Sequence, residues 1–322
     1  YISWSCDSPL LSMYHKNVFL DCNYFFLFDK TNYLEFKGMG VKHIWHLPLA
    51  VDTNRLDELF AQDTMDKMQL AETDSGNASK HSVRDFAGGI SFVGNLYEKN
   101  SYDELETRFP EYLRGYFDAV MEAQLNSGGN IIEPMLTADI LERVSEYFEL
   151  KKSKDSFSDL GLVFATTVLG FKTASLQRQR ALLALVAKFP VNLYTNTGGD
   201  TLLRVKNCGS VDYWSEMPKV FRYSKINLNF TIPNIKSGLP LRIFDVLGAG
   251  GFLLTNYQED FLNYFVPGED FIYYSSYEEA ETYADYYLSH EKERQQIAAN
   301  ALGKILEAHT FEHRIQTMLS IP

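Results

Sequence analysis

Short, wholly apolar runs separated by helical patterns constrain this chain more than any other feature. Tyr24-Phe25-Phe26-Leu27-Phe28 has no polar position between its polar flanks, as a strand covered on both faces requires. Residues 30–37 then read as a short helix stopped by Gly38 and Gly40, and 43–47 as the next strand, closed by Pro48. Strand, helix, strand at this spacing is a parallel α/β unit. The alternation returns late in the chain, with helices over 176–188, 216–223 and 240–247 leading to strands over 191–194, 226–230 and 252–254. That pattern predicts a doubly wound parallel sheet.

Gly88 and Gly89 introduce another strand over 90–93, which ends at Gly94-Asn95. Apolar residues then recur every three or four positions over 105–125, 137–149 and 157–171, with Thr137 placed as an N-cap. Because the α/β alternation resumes afterwards, these helices read as an insertion over about 101–172. Periodicity fades between Asp52 and Asp85, and the turn-forming cluster at 73–79 marks a linker. The expected organisation is a first Rossmann-like unit over 1–51, a linker over 52–87 and a second Rossmann-like unit over 88–322. Residues 1–5 read as a buried strand, and two short α/β units make a small sheet. The first unit is therefore read as truncated, with an upstream portion missing.

Twenty-three Phe and 20 Tyr supply ample core material, which excludes a disordered chain. Thirty Lys and Arg against 42 Asp and Glu give a net charge of -12. Such a surface repels nucleic acid and anionic lipid, so an anionic ligand needs a local pocket. Three cysteines without paired spacing fit a reducing compartment, and the expected localisation is cytoplasmic. The apolar run 160–171 is too short for a transmembrane segment.

Chemistry concentrates in KINLNFTIPNIKSGLPLRIFDVLGAGGFLLTN, residues 225–256. A buried strand ending at Asn229 leads through a polar loop to a helix beginning at Pro240. Ser237 and Gly238 stand just before it and Arg242 in its first turn, a combination able to attract a diphosphate through backbone N–H groups, dipole and charge. The plainer alternative makes Ser237 a cap and Arg242 a solvated residue. Asp245, one turn on, suits ribose hydroxyls, or equally an ion pair with Arg242. Gly94 and Asn95, and the loop 195–199, end strands where sheet ligands gather, although each is also an ordinary turn. Gly248 to Gly251 follow a helix and precede a strand, the wrong order for a dinucleotide loop. No Asp-x-Asp, GxSxG or Walker pattern occurs, His309 and His313 read as packing or surface histidines, and neither a metal nor a cofactor is expected.

Three segments in order, LPLAVDTNRL (47–56), ISFVGNL (90–96) and SGLPLRIFDVLGAGGFLLTN (237–256), resemble GT-B glycosyltransferases, and among them the CgeB-type spore-maturation glycosyltransferase-like proteins. The tail 289–319 is similar to the end of that family. The resemblance implies a GT-B-like α/β fold and metal-independent transfer from a nucleotide diphosphate sugar to an unknown glycan, protein or small-molecule acceptor. It places the diphosphate beside Ser237, Gly238 and Arg242 and the ribose on Asp245. Many relatives carry two glutamates separated by seven residues; here those positions hold Ser237 and Asp245. The base of such enzymes belongs to the first domain, where Asp7 is the loop carboxylate to nominate, although an Asp there more commonly caps a turn. Two rival readings remain: a non-catalytic nucleotide-sugar-binding module of a longer protein, and an epimerase on the same architecture.

Overall fold

The computed structural model describes residues 1–72, 86, 88–196 and 204–321, the side chains of 65–72 excepted. The polar cluster 73–79 and the end of the loop 195–199 lie outside the described residues. Two parallel sheets organise the rest. The first has the order β1-β2-β3, from β1 (Ile2–Ser5), β2 (Tyr24–Leu27) and β3 (Ile44–His46). Tyr1 is 78% exposed and Ile2 58%, so β1 is a strand but its start is not buried as the sequence suggested.

The second sheet contains β4 (Ile90–Val93), β5 (Val191–Tyr194), β6 (Lys206–Asn207), β7 (Ile226–Asn229), β8 (Leu253–Asn256) and β9 (Ile272–Tyr274). Its order is β6-β5-β4-β7-β8-β9 with every pair parallel. The chain runs outward from β4 to β6, then returns to the other side of β4 and runs outward again. This is the doubly wound order, and the direction reverses between β4 and β7. The two sheets with their flanking helices form a Rossmann-like, GT-B-like α/β fold.

The helices between β4 and β5 have a core of their own, with Phe109, Leu113, Phe117 and Phe164 at its centre. The last of them is continuous over Leu160–Val186, 27 residues, long and apolar enough by length and composition to cross a bilayer. It exceeds the 160–171 run because a π-helical turn at Ala165–Leu169 carries it onward into the segment Gly170–Val186. In the fold this helix is packed. Leu162 enters the core of the first sheet, Val168 that of the inserted helices, and Leu182 that of the second sheet.

Residues 53–72, read from sequence as linker, are a helix, Thr53–Glu72. It docks on the second unit: Arg55 donates to the Trp214 carbonyl at 2.6 Å and Asp63 pairs with Lys219 at 2.9 Å. Phe28, Leu49, Val51 and Leu56 share one apolar cluster with Leu239, Ile243, Phe244 and Leu247, so the two units have a common core. The last helix, Phe311–Leu319, returns to the first unit, where Arg314 donates to the carbonyls of Pro48 (2.8 Å) and Leu49 (3.1 Å).

Candidate functional site

A buried arginine occupies the reversal point of the second sheet. Arg178, 8% exposed, donates from Nη1 to the Asn95 carbonyl and from Nη2 to the Phe230 carbonyl at 3.0 Å. Asn95 follows β4 and Phe230 follows β7, so the guanidinium bridges the two strand ends flanking the crevice where doubly wound sheets take ligands. It lies over the rings of Tyr97 (4.8 Å) and Phe92 (5.6 Å), while its Nε has no partner. No carboxylate stands within 4 Å of it among the described residues. Burial, with a smaller contribution from the Arg242 charge, pulls Arg178 down to about 10 against the raising effect of Tyr97. A second cation, Arg242, is near enough for its charge to act on Arg178.

The helix Leu241–Gly248 supplies the second cation and the carboxylate beside it. Pro240 stands just before the first turn in extended conformation; beyond the last turn Gly250 takes φ +73°, the left-handed exit that glycine permits. Arg242 donates to the Met217 sulfur and covers the Phe221 ring at 5.4 Å. Asp245 is buried, and its Oδ1 accepts from the Tyr213 hydroxyl at 3.1 Å. No ion pair within 4 Å joins Asp245 to Arg242; Tyr213 is the carboxylate's hydrogen-bond partner, while the Arg242 charge still acts on it. Burial pushes Asp245 up to about 6, against the lowering effect of the nearby Arg242 charge. Burial and Asp245 together push the Tyr213 phenol well up.

The loop ahead of this helix differs from the free cradle the sequence suggested. Asp29, the N-cap of helix Lys30–Gly38, accepts the backbone N–H of Lys236 at 2.7 Å and of Ser237 at 3.3 Å. A Cβ at Gly238 would stand 2.9 Å from the Asp29 Cα and 2.9 Å from the Phe28 ring. The reading of Ser237 and Gly238 as an open phosphate cradle is corrected accordingly: the first unit covers them and Asp29 takes the anion's place. The Ser237 hydroxyl lies 3.3 Å from Asp29 and 3.5 Å from Asp260, with one proton to give. Burial pushes Asp260 up to about 6, and the Asp29 charge adds to the shift. His46 stands 3.9 Å from Asp260, and burial holds its pKa below the usual value. Burial works against charge on Lys236 too, but Glu133 at 2.8 Å and Glu35 at 3.6 Å hold it above its ordinary value.

The remaining candidates serve local structure. The Gly94 N–H donates to the Tyr194 carbonyl at 3.0 Å, so it is not offered to a ligand. The Asn95 side chain accepts from the Tyr97 N–H at 2.6 Å. The Asn229 amide donates to Thr231 (3.0 Å) and Thr255 (2.9 Å), stitching β7 to β8. Asp7 is exposed on the loop after β1. His309 is buried against Phe244 and Phe265, its Nδ1 accepting from Arg314 at 2.6 Å, and His313 caps the last helix with Thr310.

Sequence reasoning passed over Arg178, Tyr213 and Asp29. Arg178 had a signal: it shares a helix face with Ala174, Ala181, Leu182 and Leu185, all buried, so a charge falls on an apolar stripe. Tyr213 and Asp29 reach partners 32 and 207 residues away, beyond any local pattern.

Residues 178–320 match a family model described as glycosyl transferase-like. This span begins at Arg178 and contains Tyr213, Arg242 and Asp245. No curated protein sequence matches the chain. Among solved structures, TarM of S. aureus is 9% identical with a TM-score of 0.45, the alignment covering 92% of this chain and 42% of that one. A glycosyltransferase from Rickettsia africae is 8% identical with a TM-score of 0.42, covering 99% and 68%. HepE of Anabaena, solved with UDP and glucose, is 10% identical with a TM-score of 0.35, covering 99% and 98%. The chain thus spans less than half the length of TarM.

Proposed function

We propose that this chain is a GT-B-type glycosyltransferase unit that moves a sugar from a nucleotide diphosphate sugar to a hydroxyl-bearing acceptor. The observation carrying this reading is the buried Arg178 bridging the ends of β4 and β7, close enough to Arg242 to feel its charge, with the buried Asp245 one turn beyond Arg242 on the same helix. The diphosphate sits against the arginines. Ribose hydroxyls replace the Tyr213 phenol on Asp245, a donor-for-donor exchange that leaves the carboxylate satisfied.

As the glycosidic bond to phosphate breaks, negative charge collects on the leaving diphosphate. Two fixed guanidiniums in a water-poor crevice meet that charge without having to reorganise. This is the basis for proposing metal-independent transfer. Asp7, exposed at the carboxyl end of β1, is the proposed base that takes the acceptor's proton, and CgeB-type membership belongs to the same proposal. The match of residues 178–320 to the glycosyl transferase-like model supports the reading.

Titration calorimetry with UDP, GDP and dTDP, followed by assay of free nucleotide released from the matching sugar, tests it. Binding of one nucleotide and its release in the presence of acceptor are expected. A second reading, a binding module without turnover, is favoured by the closed loop at Ser237 and Gly238. Nucleotide binding without release selects it.

A further inference from the structure

A cavity of about 540 Å³ opens at the carboxyl ends of β7, β8 and β9, facing the turn after helix Glu111–Leu125. None of Gly94, Asn95, Asn229, Ser237, Gly238, Arg242 and Asp245 lines it. Its walls have a consistent chemistry. Gln124, Asn126, Gln177, Asn256 and Gln258 bring side-chain amides; Tyr257, Tyr273, Tyr274 and Tyr277 bring phenols. Glu278 is the one charged residue among the described lining residues. A site with no cation, in a chain of net charge -12, rejects phosphate and sulfate groups.

Three polar atoms of these residues, Gln177 Oε1, Tyr274 OH and Tyr277 OH, are buried without a protein partner and closed to the cavity itself, so they back its walls and do not face a ligand. Amides and phenols each donate and accept, which matches a ligand whose groups do both. The half-buried Tyr257 and Tyr273 add two flat apolar faces, with centroids 5.2 Å apart and planes at 58°. Faces set at such an angle suit two successive rings that do not share a plane.

From the uncharged polar walls and the two aromatic faces we propose that the cavity is a binding site for a neutral carbohydrate, of more than one ring, held on Tyr257 and Tyr273 and hydrogen-bonded by the wall amides, that of Gln177 among them. The size falls within the range of small-molecule sites. Amphipathic pyranose rings place C–H faces on the tyrosines and hydroxyls on the amides. The cavity stands on its own chemistry and does not depend on the transferase reading.

Saturation-transfer NMR on the full chain tests the assignment, with maltotriose and chitotriose as neutral probes, glucose as the single-ring comparison, and glucose 6-phosphate and uridine as charged and nucleoside comparisons. Transfer to at least one trisaccharide is expected, stronger than to glucose and absent for glucose 6-phosphate. Gln177→Leu, which removes one wall amide, is expected to weaken binding about fivefold, and Tyr257→Ala to abolish it, with melting temperature monitored for both. No transfer to either trisaccharide at millimolar concentration overturns the proposal; so does transfer to uridine alone, or equal transfer in the folded variants. UDP calorimetry on the same samples separates the two readings, because loss of UDP binding with intact trisaccharide binding counts against the transferase alone.

Discussion

Asp29 accepts the backbone N–H of Lys236 at 2.7 Å, a bond between the first sheet's helix cap and the loop that precedes the candidate donor helix. The same carboxylate accepts from Ser8, Asn32 and Ser237. It therefore performs in one place the work of a helix cap, a loop anchor and a seam between the two units.

Replacing Asp29 with Ala leaves the amides of Lys236 and Ser237 buried without an acceptor, a cost of about 1–3 kcal/mol for each group. The expected result is a lower melting temperature together with faster amide exchange localised to 236–238. Hydrogen-exchange mass spectrometry reads both the size and the place of the effect. Exchange unchanged there would remove Asp29 from the seam.

Gly238→Ala introduces a methyl group 2.9 Å from the Asp29 Cα and the Phe28 ring. Backbone on one side and a buried ring on the other leave little room to give, so destabilisation of about 1–3 kcal/mol is expected. Chemical denaturation measures it. A neutral result would mean that the two units separate at this point without cost.

Arg242→Ala removes one of the two guanidiniums proposed to hold the diphosphate. Nucleotide diphosphate affinity is expected to fall at least tenfold, corresponding to about 1.5 kcal/mol or more for a charged hydrogen bond. Calorimetry checks this, and undiminished affinity would take Arg242 out of the site.

Burial raises Asp245 and Asp260 to about 6 in the folded protein, above the ordinary aspartate value of about 3.9. Between those values the folded state holds protons that the unfolded chain has released. Stability contributed by these groups is therefore greatest below about pH 4 and declines as pH rises to 6. Asp260→Asn removes the charge that burial opposes. The variant is expected to melt higher than the wild type at pH 7 and to lose that advantage toward pH 4. Melting curves across this range provide the test, with a constant difference at every pH as the contrary outcome.

The α/β alternation was legible because Tyr24 to Leu27, a continuous apolar run, and Ile90 to Val93, apolar but for Ser91, are strands that the fold covers, and such runs have few other uses. β6 was not, since Lys206 and Asn207 are two exposed polar residues given their conformation only by pairing with β5. The helix Thr53–Glu72 escaped notice for a related reason. It docks through the polar groups Arg55 and Asp63 and through only two apolar side chains, Leu56 and Phe60, too few to stand out as a periodic pattern. At the candidate site, Arg242 and Asp245 stood out through their place in a helix, and the structure adds Tyr213 from a distant loop. The loop at Ser237 was misjudged because helix-start chemistry attracts any anion, and the chain supplies its own in Asp29.

One rod of backbone, Leu160–Val186, is rooted at Leu162 in the smaller half of the molecule and at Leu182 in the larger. A swing of one half against the other cannot leave that rod straight and both roots seated. The widened turn at Ala165–Leu169 lies between the roots, with the Asn234 side chain donating to the Thr166 carbonyl there at 3.2 Å. A bend of the rod at that turn would therefore act directly on the strand-end loop bearing Asn234.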